Sequence, residues 1–320
     1  MAWALNLMKK PVFDAEKEIP DLSGKVLLIT GGTGGLGKES VLSFAAHNPA
    51  HVYFTGRSQP SADKVIEEAK AKYPNTPVTF LKCDLASLAA VRDAAKHFLS
   101  KEDRLDILSC NAGIMATPAG LTKDGYEIQF GTNHLGHALL VKLLTPLLES
   151  TAAKPNADVR IVWDTSLGHR GHPKGGILFD KLKTEQNDIF PVFGEWMRYG
   201  QSKLANLLYA RAYAQHHPKI TSVSVHPGVS ATGLVNGLTF WQKALVYTTS
   251  WSFMIPPEQC AWNQQWAATA PLGDGARQVQ NGAYYEPVGL KGSLVPAAAD
   301  EELAGRLWEW TEKELEGWNL

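Results

Sequence analysis

Short apolar runs alternate along most of the chain with longer stretches whose apolar residues recur every three or four positions. The run at 25–30, KVLLIT, ends in glycines, and a helical period follows over 37–47. The unit returns as strand 51–56, helix 62–72, strand 78–83, helix 88–100 and strand 105–111. A long helix over 126–149 comes next, with Pro146 placed to bend or shorten its end. Strand 159–165, helix 196–216 and strand 221–226 continue the series. The runs are apolar on both faces, as strands covered by helices on both sides must be. Such alternation gives parallel βαβ units with right-handed crossovers. The expected fold is α/β, a doubly wound parallel sheet forming a single domain over 24–290.

Two stretches break the alternation, 167–195 and 229–254, and each follows the C-terminal end of a strand. Ligands of open parallel sheets bind at that edge, so these insertions are expected to build a substrate pocket. The second carries Phe240, Trp241, Tyr247, Trp251 and Phe253. These aromatics fit a lid over a bulky apolar substrate, a satellite core, or a patch facing a membrane or partner, and the pattern leaves all three open. A polar arm, 1–23, precedes the alternation. The tail, 291–320, holds a helix pattern over 300–316 that is expected to pack on the same domain or serve a homodimer interface.

Composition narrows the partners. The chain has 320 residues with 31 Lys plus Arg against 32 Asp plus Glu, so no cationic field exists to release counterions from a polyanion, and nucleic acid is excluded as a partner. A length of 320 would suggest two domains at about 150 residues each, but no linker interrupts the series. Cys83, Cys110 and Cys260 have no metal-ligand or CxxC spacing and read as buried, reduced thiols, consistent with a cytoplasmic protein. The opening MAWALNLMKK has too short an apolar run for an export signal. The apolar stretch 238–257 is broken by Gln242 and Lys243, short of the ~18 uninterrupted apolar residues a span requires. Association with a membrane surface is therefore disfavoured.

The first candidate chemistry lies between the first strand and helix, at Thr30-Gly31-Gly32-Thr33-Gly34-Gly35-Leu36-Gly37. Glycines allow the backbone to turn, to approach a pyrophosphate closely, and to start a helix whose N–H groups face the anion. The second strand ends Gly56-Arg57-Ser58 without a carboxylate. An arginine there suits a ribose 2′-phosphate through charge-assisted hydrogen bonds, which favours NADP(H) over NAD(H). Asp84, before Leu85 at the end of the third strand, is placed either to accept from an adenine amino group or to cap the next helix.

Tyr199 and Lys203 stand four apart on one helix face. An ammonium beside a phenol is expected to lower the phenol's pKa and make it a proton-transfer group. Ser166, closing the strand 159–165, sits at the same edge and is placed to orient a substrate oxygen.

Together these residues resemble a short-chain dehydrogenase/reductase over roughly 23–290. The turn at 30–37 matches that family's TGxxxGxG, distinct from the TGxxGxxG of its extended members. Asn111-Ala112-Gly113 resembles the element that supports the sheet and borders the cofactor. Asn133, Ser166, Tyr199 and Lys203 match the catalytic tetrad. Pro227-Gly228-Val229 followed by Thr232 matches the segment that lies against the nicotinamide and pyrophosphate. The resemblance implies a Rossmann-type fold and a cofactor held by Gly31, Thr33, Gly34, Gly35, Leu36, Gly37, Arg57, Asp84, Leu85, Asn111, Ala112, Gly113, Tyr199, Lys203, Pro227, Gly228, Val229 and Thr232. The wording around Asn111 and Asn133 is similar to the retinol-dehydrogenase and WW-linked oxidoreductase branch, which commonly prefers NADP(H). Two departures bear on the substrate: Asp164-Thr165-Ser166 replaces the usual Ser-Ser ending, and the interval from Ser166 to Tyr199 is longer than in most members.

No metal is expected, because His134 and His137 lack a third ligand. His169 and His172 read as loop residues near the pocket rim. The function these signs imply is NADP(H)-dependent reduction of a ketone or aldehyde of a small, apolar or biosynthetic substrate, a ketoreductase of the kind used in secondary metabolism. Oxidation of a retinol-like or steroid-like alcohol, or a non-catalytic NADP(H)-binding scaffold, are the alternatives.

Overall fold

The computed structural model describes residues 13–189, 193–229 and 254–320. Eight strands form one sheet: β1 Val26–Ile29, β2 His51–Gly56, β3 Val78–Lys82, β4 Ile107–Cys110, β5 Arg160–Asp164, β6 Thr221–Val225, β7 Tyr284–Glu286 and β8 Leu290–Lys291. Their order is β3-β2-β1-β4-β5-β6-β7-β8. Every pairing is parallel except β7 with β8. The direction of winding reverses between β1 and β4, which opens the crevice where doubly wound sheets bind ligands. The short strands β7 and β8 extend the sheet beyond the alternation visible in the sequence.

The main helices are α1 Gly35–Ala45, α2 Gln59–Lys72, α3 Leu88–Leu99, α4 Gly136–Ala152, α5 Gly194–His216, α6 Pro257–Thr269 and α7 Glu301–Glu314. One apolar layer joins the sheet to α3, α4, α5 and α7 through residues such as Val91, Leu139, Trp163, Leu204 and Leu307. The other, with Leu27, Val41, Val162, Val225 and Trp266, holds α1 and α6. Burial of each of these side chains contributes roughly 1.5–3 kcal/mol.

Three expectations need correction. The long helix is not continuous: a short turn, Ile128–Phe130, leads into a π-helical segment, Gly131–Leu135, before α4 begins. A π turn inserts a residue and re-aims the side chains around it, as functional sites often require. Pro146 neither ends nor shortens α4, which runs to Ala152. Pro146 is exposed, so the carbonyl it leaves without an N–H faces the wet side of the helix. The insertion 167–195 is only partly at the sheet edge, because Ile177 and Leu182 are buried in the α5/α7 layer and Leu178 N–H donates to Gln201 Oε1 at 2.8 Å. Among the described residues, the loop that opens the insertion borders the carboxyl edge, with Gly168 against Ser166 and Tyr199. Nearly all of the second insertion lies outside the described residues, including the aromatics from Phe240 to Phe253.

The arm and the tail pack on the same body. Phe13, Ile19 and Leu22 are buried with α1 and α6. Leu303, Leu307 and Leu315 of the tail enter the α4/α5 layer, and Trp308 stacks on Tyr209 and His216. Among the described residues no helix is long and apolar enough to cross a membrane, and no group of three or more His, Cys, Asp and Glu could hold a metal ion.

Candidate active site

The glycine turn is shaped by contacts that exclude side chains. A Cβ on Gly31 would meet Ala112 Cβ at 2.9 Å, one on Gly32 would meet Phe54 Cβ at 2.5 Å, and one on Gly37 would meet the Gly31 carbonyl oxygen at 2.4 Å. Gly31 and Gly35 also adopt positive φ, +71° and +54°, which only glycine tolerates well. Gly34 differs, because a Cβ there would meet nothing within 4 Å. It is the N-cap of α1, and no side chain caps that end. The cradle is open where an anion would approach and tight elsewhere. Thr33 packs against Gly56, whose Cβ would meet Thr33 Cγ2 at 2.5 Å. The end of β2 therefore lies against the turn, and Arg57 next to it is exposed.

The turn is tied to β4 and to the π segment. Asn111 Nδ2 donates to the Thr30 carbonyl at 2.7 Å, and Ala112 N–H donates to Thr30 Oγ1 at 3.0 Å. Thr30 Oγ1 also meets His137 Nε2 at 2.8 Å, while His137 Nδ1 lies 2.8 Å from the Asn133 carbonyl oxygen. Burial pushes His137 down to about 4, so the ring is neutral. The carbonyl can only accept, which assigns the proton to Nδ1 and makes Nε2 the acceptor for Thr30. His134, in contrast, reaches Thr311 of α7 at 3.1 Å, so the two histidines serve different neighbours.

Four elements bring the tetrad together. Asn133 Oδ1 accepts from Ile114 N–H at 2.8 Å, and its Nδ2 donates to the Ile114 carbonyl and to Ser202 Oγ, each at 2.9 Å. Gly113 crosses above, where a Cβ would lie 3.2 Å from Asn133 Oδ1 and 3.3 Å from Lys203 Nζ. Lys203 Nζ donates to the Asp164 carbonyl at 3.0 Å and stands 5.9 Å from the centroid of the Tyr199 ring. Ser166 Oγ accepts from Gly168 N–H at 3.0 Å and lies near enough to the Tyr199 phenol to draw its pKa down. Two glycines permit this approach. A Cβ on Gly168 would meet Tyr199 Cε1 at 2.8 Å, and one on Gly200 would meet the carbonyls of Gly168 and Gly171 at 2.7 Å.

The electrostatics differ from expectation. Burial pushes Tyr199 up to about 12, the Ser166 hydroxyl nearby pulls the other way, and the Asp164 carboxyl raises it further. The lysine does not win: its ammonium is turned to the Asp164 carbonyl, and desolvation of the phenolate dominates. Tyr199 is thus a protonated phenol at neutral pH. Burial drives the Lys203 amine down and the Asp164 carboxyl up, and each opposes the shift of the other.

Other expected residues find clear places. Asp84 does not cap α3, since Ser87 takes that position and accepts from Ala90 N–H. Asp84 instead accepts from Ala86 N–H at 3.1 Å and keeps one oxygen toward Lys123 at 3.7 Å. Leu85 is buried, its carbonyl against Gly136. Gly228 takes φ +102° and Val229 pairs with Met254; Thr232 lies outside the described residues. His169 is not at the rim: it is fully buried, 2.6 Å from the Ser166 carbonyl and edge-on to Tyr284. His172 is half-buried with Nδ1 on the Pro173 carbonyl.

Sequence reasoning missed the amides of α6. Asn263 Nδ2 donates to the His226 carbonyl at 2.7 Å, holding the 226–229 corner, and Gln264 Nε2 donates to Leu36 O at 3.2 Å and Ser40 Oγ at 2.7 Å. Both side chains are fully buried, and the available signal was a run of amides between Trp262 and Trp266. Beyond Ile114, which Asn133 holds, Met115, Ala116 and Trp196 form a small apolar cluster, and Leu121 and Phe193 are exposed apolar residues, 43% and 58%.

Known proteins resemble this chain over nearly its whole length. A model of the short chain dehydrogenase family matches residues 25–162. An uncharacterized oxidoreductase of Schizosaccharomyces pombe is 38% identical over 303 residues, covering 93% of this chain and 87% of the relative. The short-chain dehydrogenase/reductase drtF of Aspergillus calidoustus is 38% identical over 309 residues, covering 93% and 95%. Among solved structures, the L-sorbose reductase of Gluconobacter frateurii, complexed with NADPH and L-sorbose, superposes with a TM-score of 0.63 at 17% identity, covering 87% of this chain and all of the other.

Proposed function

The chain belongs to the short-chain dehydrogenase family, and on that footing we propose that it reduces the carbonyl of a small apolar ketone or aldehyde with NADPH. The observation that carries this reading is a phenol kept protonated beside a serine hydroxyl and a buried ammonium, at the edge where the glycine cradle opens.

The residues present fit a nicotinamide dinucleotide. The open face at Gly34 and the uncapped N-terminus of α1 suit a pyrophosphate. Arg57, exposed beside the turn and in no ion pair among the described residues, suits a 2′-phosphate. NADPH, when bound, supplies the hydride. Tyr199 gives its proton to the substrate oxygen as negative charge develops there. Gly168 N–H donates to Ser166 Oγ and fixes the hydroxyl in place, and its one hydrogen turns to the substrate oxygen as charge develops there, which favours the transition state over the neutral carbonyl. Lys203 has three donors and commits one to the Asp164 carbonyl, leaving two for ribose hydroxyls. Asn133 fixes the Ile114 segment over the site. The apolar cluster of Met115, Ala116 and Trp196, which follows the Ile114 segment held by Asn133, supports an apolar substrate.

The test is purified Tyr199→Phe assayed by NADPH oxidation across apolar ketones and aldehydes. General acid catalysis contributes about 10²- to 10⁴-fold, so kcat should fall by at least that lower figure. Wild-type rates in the variant would overturn the reading.

A further inference from the structure

Two ionisable side chains are enclosed beside the tetrad without belonging to it. Glu127 is fully buried, and Arg198, the residue before Tyr199, is 3% exposed. Glu127 Oε1 stands 3.3 Å from Arg198 Nε as an ion pair, and neither atom has a hydrogen-bond partner among the described residues. Each therefore depends on the charge of the other. Such a buried pair adds little stability over an apolar one, and its better-attested use is to fix one arrangement of the elements that carry it. Here those elements hold the tetrad. Glu127 Oε2 accepts from Phe130 N–H at 2.6 Å and so caps the turn that leads into the π segment of Asn133. Arg198 Nη2 donates to the Thr117 carbonyl at 3.3 Å. Ser202, four residues on and so on the same face of α5, accepts from Asn133 Nδ2 and donates to the Tyr199 carbonyl. Asn133 also holds Ile114. The segment 114–117 is thus fastened at one end by Asn133 and at the other by Arg198, with Met115 and Ala116 packed against Trp196 between them. Burial pushes the Glu127 carboxyl up to about 7, while the Phe130 and Gln129 N–H groups and Arg198 pull it down. On the alkaline side of that value a carboxylate faces a guanidinium that is always charged.

We propose that Glu127 and Arg198 are positioning residues of carbonyl reduction: their buried ion pair holds the turn of Asn133 and the segment 114–117 in register with the helix that carries Tyr199. The guanidinium reaches two elements at once, the Glu127 carboxylate through Nε and the Thr117 carbonyl through Nη2. Two hydrogen bonds run beside the pair, from Gln129 to the Glu195 carbonyl and from Asn133 to Ser202, and neither reaches Thr117. The inference rests on the reading of Tyr199 as the proton donor.

Removing one partner would strand a buried charge, so the test replaces both. Glu127→Gln keeps an acceptor for Phe130 N–H, and Arg198→Met keeps the apolar stem. Assays run on the alkaline side of the Glu127 midpoint. The double variant should keep a Tm near wild type, since neutral replacement of a buried pair is often neutral in stability. Its kcat should nevertheless fall roughly 10²-fold, the effect of a ~1 Å misplacement caused away from the chemistry. The Kd for NADPH should stay near wild type, because Gly34 and Arg57 belong to the ends of α1 and β2. In hydrogen exchange, amides over 114–120 and 128–135 should exchange at least about tenfold faster than in wild type, and those over 26–45 at the wild-type rate. A folded double variant with wild-type kcat overturns the proposal, whatever its exchange. Should the double variant not fold, Glu127→Gln alone is read in the same way. If wild type shows no Tyr199-dependent reduction, the proposed function fails by itself, and unchanged exchange in the variant would still overturn the role of the pair.

Discussion

Two glycines of the cradle separate a structural role from a binding role. In Gly37→Ala the new Cβ would stand 2.4 Å from the Gly31 carbonyl oxygen and 2.6 Å from Asn111 Nδ2. Neither neighbour can yield easily, since Gly31 is main chain and Asn111 Nδ2 is held by the Thr30 carbonyl at 2.7 Å. Ordinary carbon contacts begin near ~3.5 Å, so the turn must open by about 1 Å. Overpacking of this kind costs about 1–3 kcal/mol, which in a large domain lowers Tm by roughly 2–4 °C for each kcal/mol. In Gly34→Ala the Cβ meets nothing within 4 Å, and the backbone is extended, φ −179°, a conformation alanine adopts. Tm should therefore stay within about 2 °C of wild type, as a cost below ~0.5 kcal/mol requires. The methyl group instead occupies the space through which a phosphate approaches. Losing one charge-assisted hydrogen bond is worth about 1.5–3 kcal/mol, so the Kd for NADPH, read by fluorescence titration, should rise at least about tenfold. Gly37→Ala should weaken both properties, Gly34→Ala binding alone. A Gly34→Ala protein that binds NADPH as wild type does would refute the cradle's orientation.

Arg57→Ala should raise the Kd for NADPH by about ten- to a hundredfold, the worth of a charge-assisted hydrogen bond, and leave that for NADH unchanged; equal effects on both would remove Arg57 from the 2′-phosphate. Gly168→Ala should lower kcat with little effect on the Kd for NADPH, because its Cβ would press on Tyr199 Cε1 from 2.8 Å and a displacement near 1 Å costs on the order of 10²-fold. Acid should destabilise the fold through four buried imidazoles: burial pushes His134 and His226 down to about 3, and His137 and His169 down to about 4. Their unfolded value is about 6.5, so the unfolded chain binds more protons below that pH, and this stability, complete above pH 6.5, is lost as pH falls toward 4. Calorimetry near pH 5, in buffers of different ionisation enthalpy, should show net proton uptake on unfolding; none would contradict the buried, neutral assignment.

What the sequence made legible were features with a period or a spacing. Apolar runs between helical stretches located β1 to β6, and the glycines at 31–37 and the Tyr199–Lys203 pair stood out because their chemistry depends on short local spacing. Features set by distant contacts did not show. The short β7 and β8 exist because Tyr284 and Tyr285 pair with Ser224 and Val225, and no local periodicity marks a three-residue edge strand. The π segment around Asn133 was hidden because its apolar pattern reads as ordinary helix. The links from Thr30 to His137 and from Gln264 to Ser40 span more than a hundred residues. Gly168 and Gly200 read as unremarkable until the serine loop was seen to lie on α5. The direction of the Tyr199 shift was misjudged because spacing reports that a lysine is near, while burial outweighs it and pushes the phenol up.

The central claim is that Tyr199 protonates the oxygen of a carbonyl whose carbon receives hydride from NADPH. Wild type and Tyr199→Phe are each incubated with NADPH carrying deuterium at the transferable position of C4 and a panel of apolar ketones and aldehydes, and the products are analysed by mass spectrometry. Alcohol with deuterium on the carbinol carbon should form with wild type and fall at least about 10²-fold with the variant. Equal deuterated product from both proteins, or none from a wild type that binds NADPH, would contradict it.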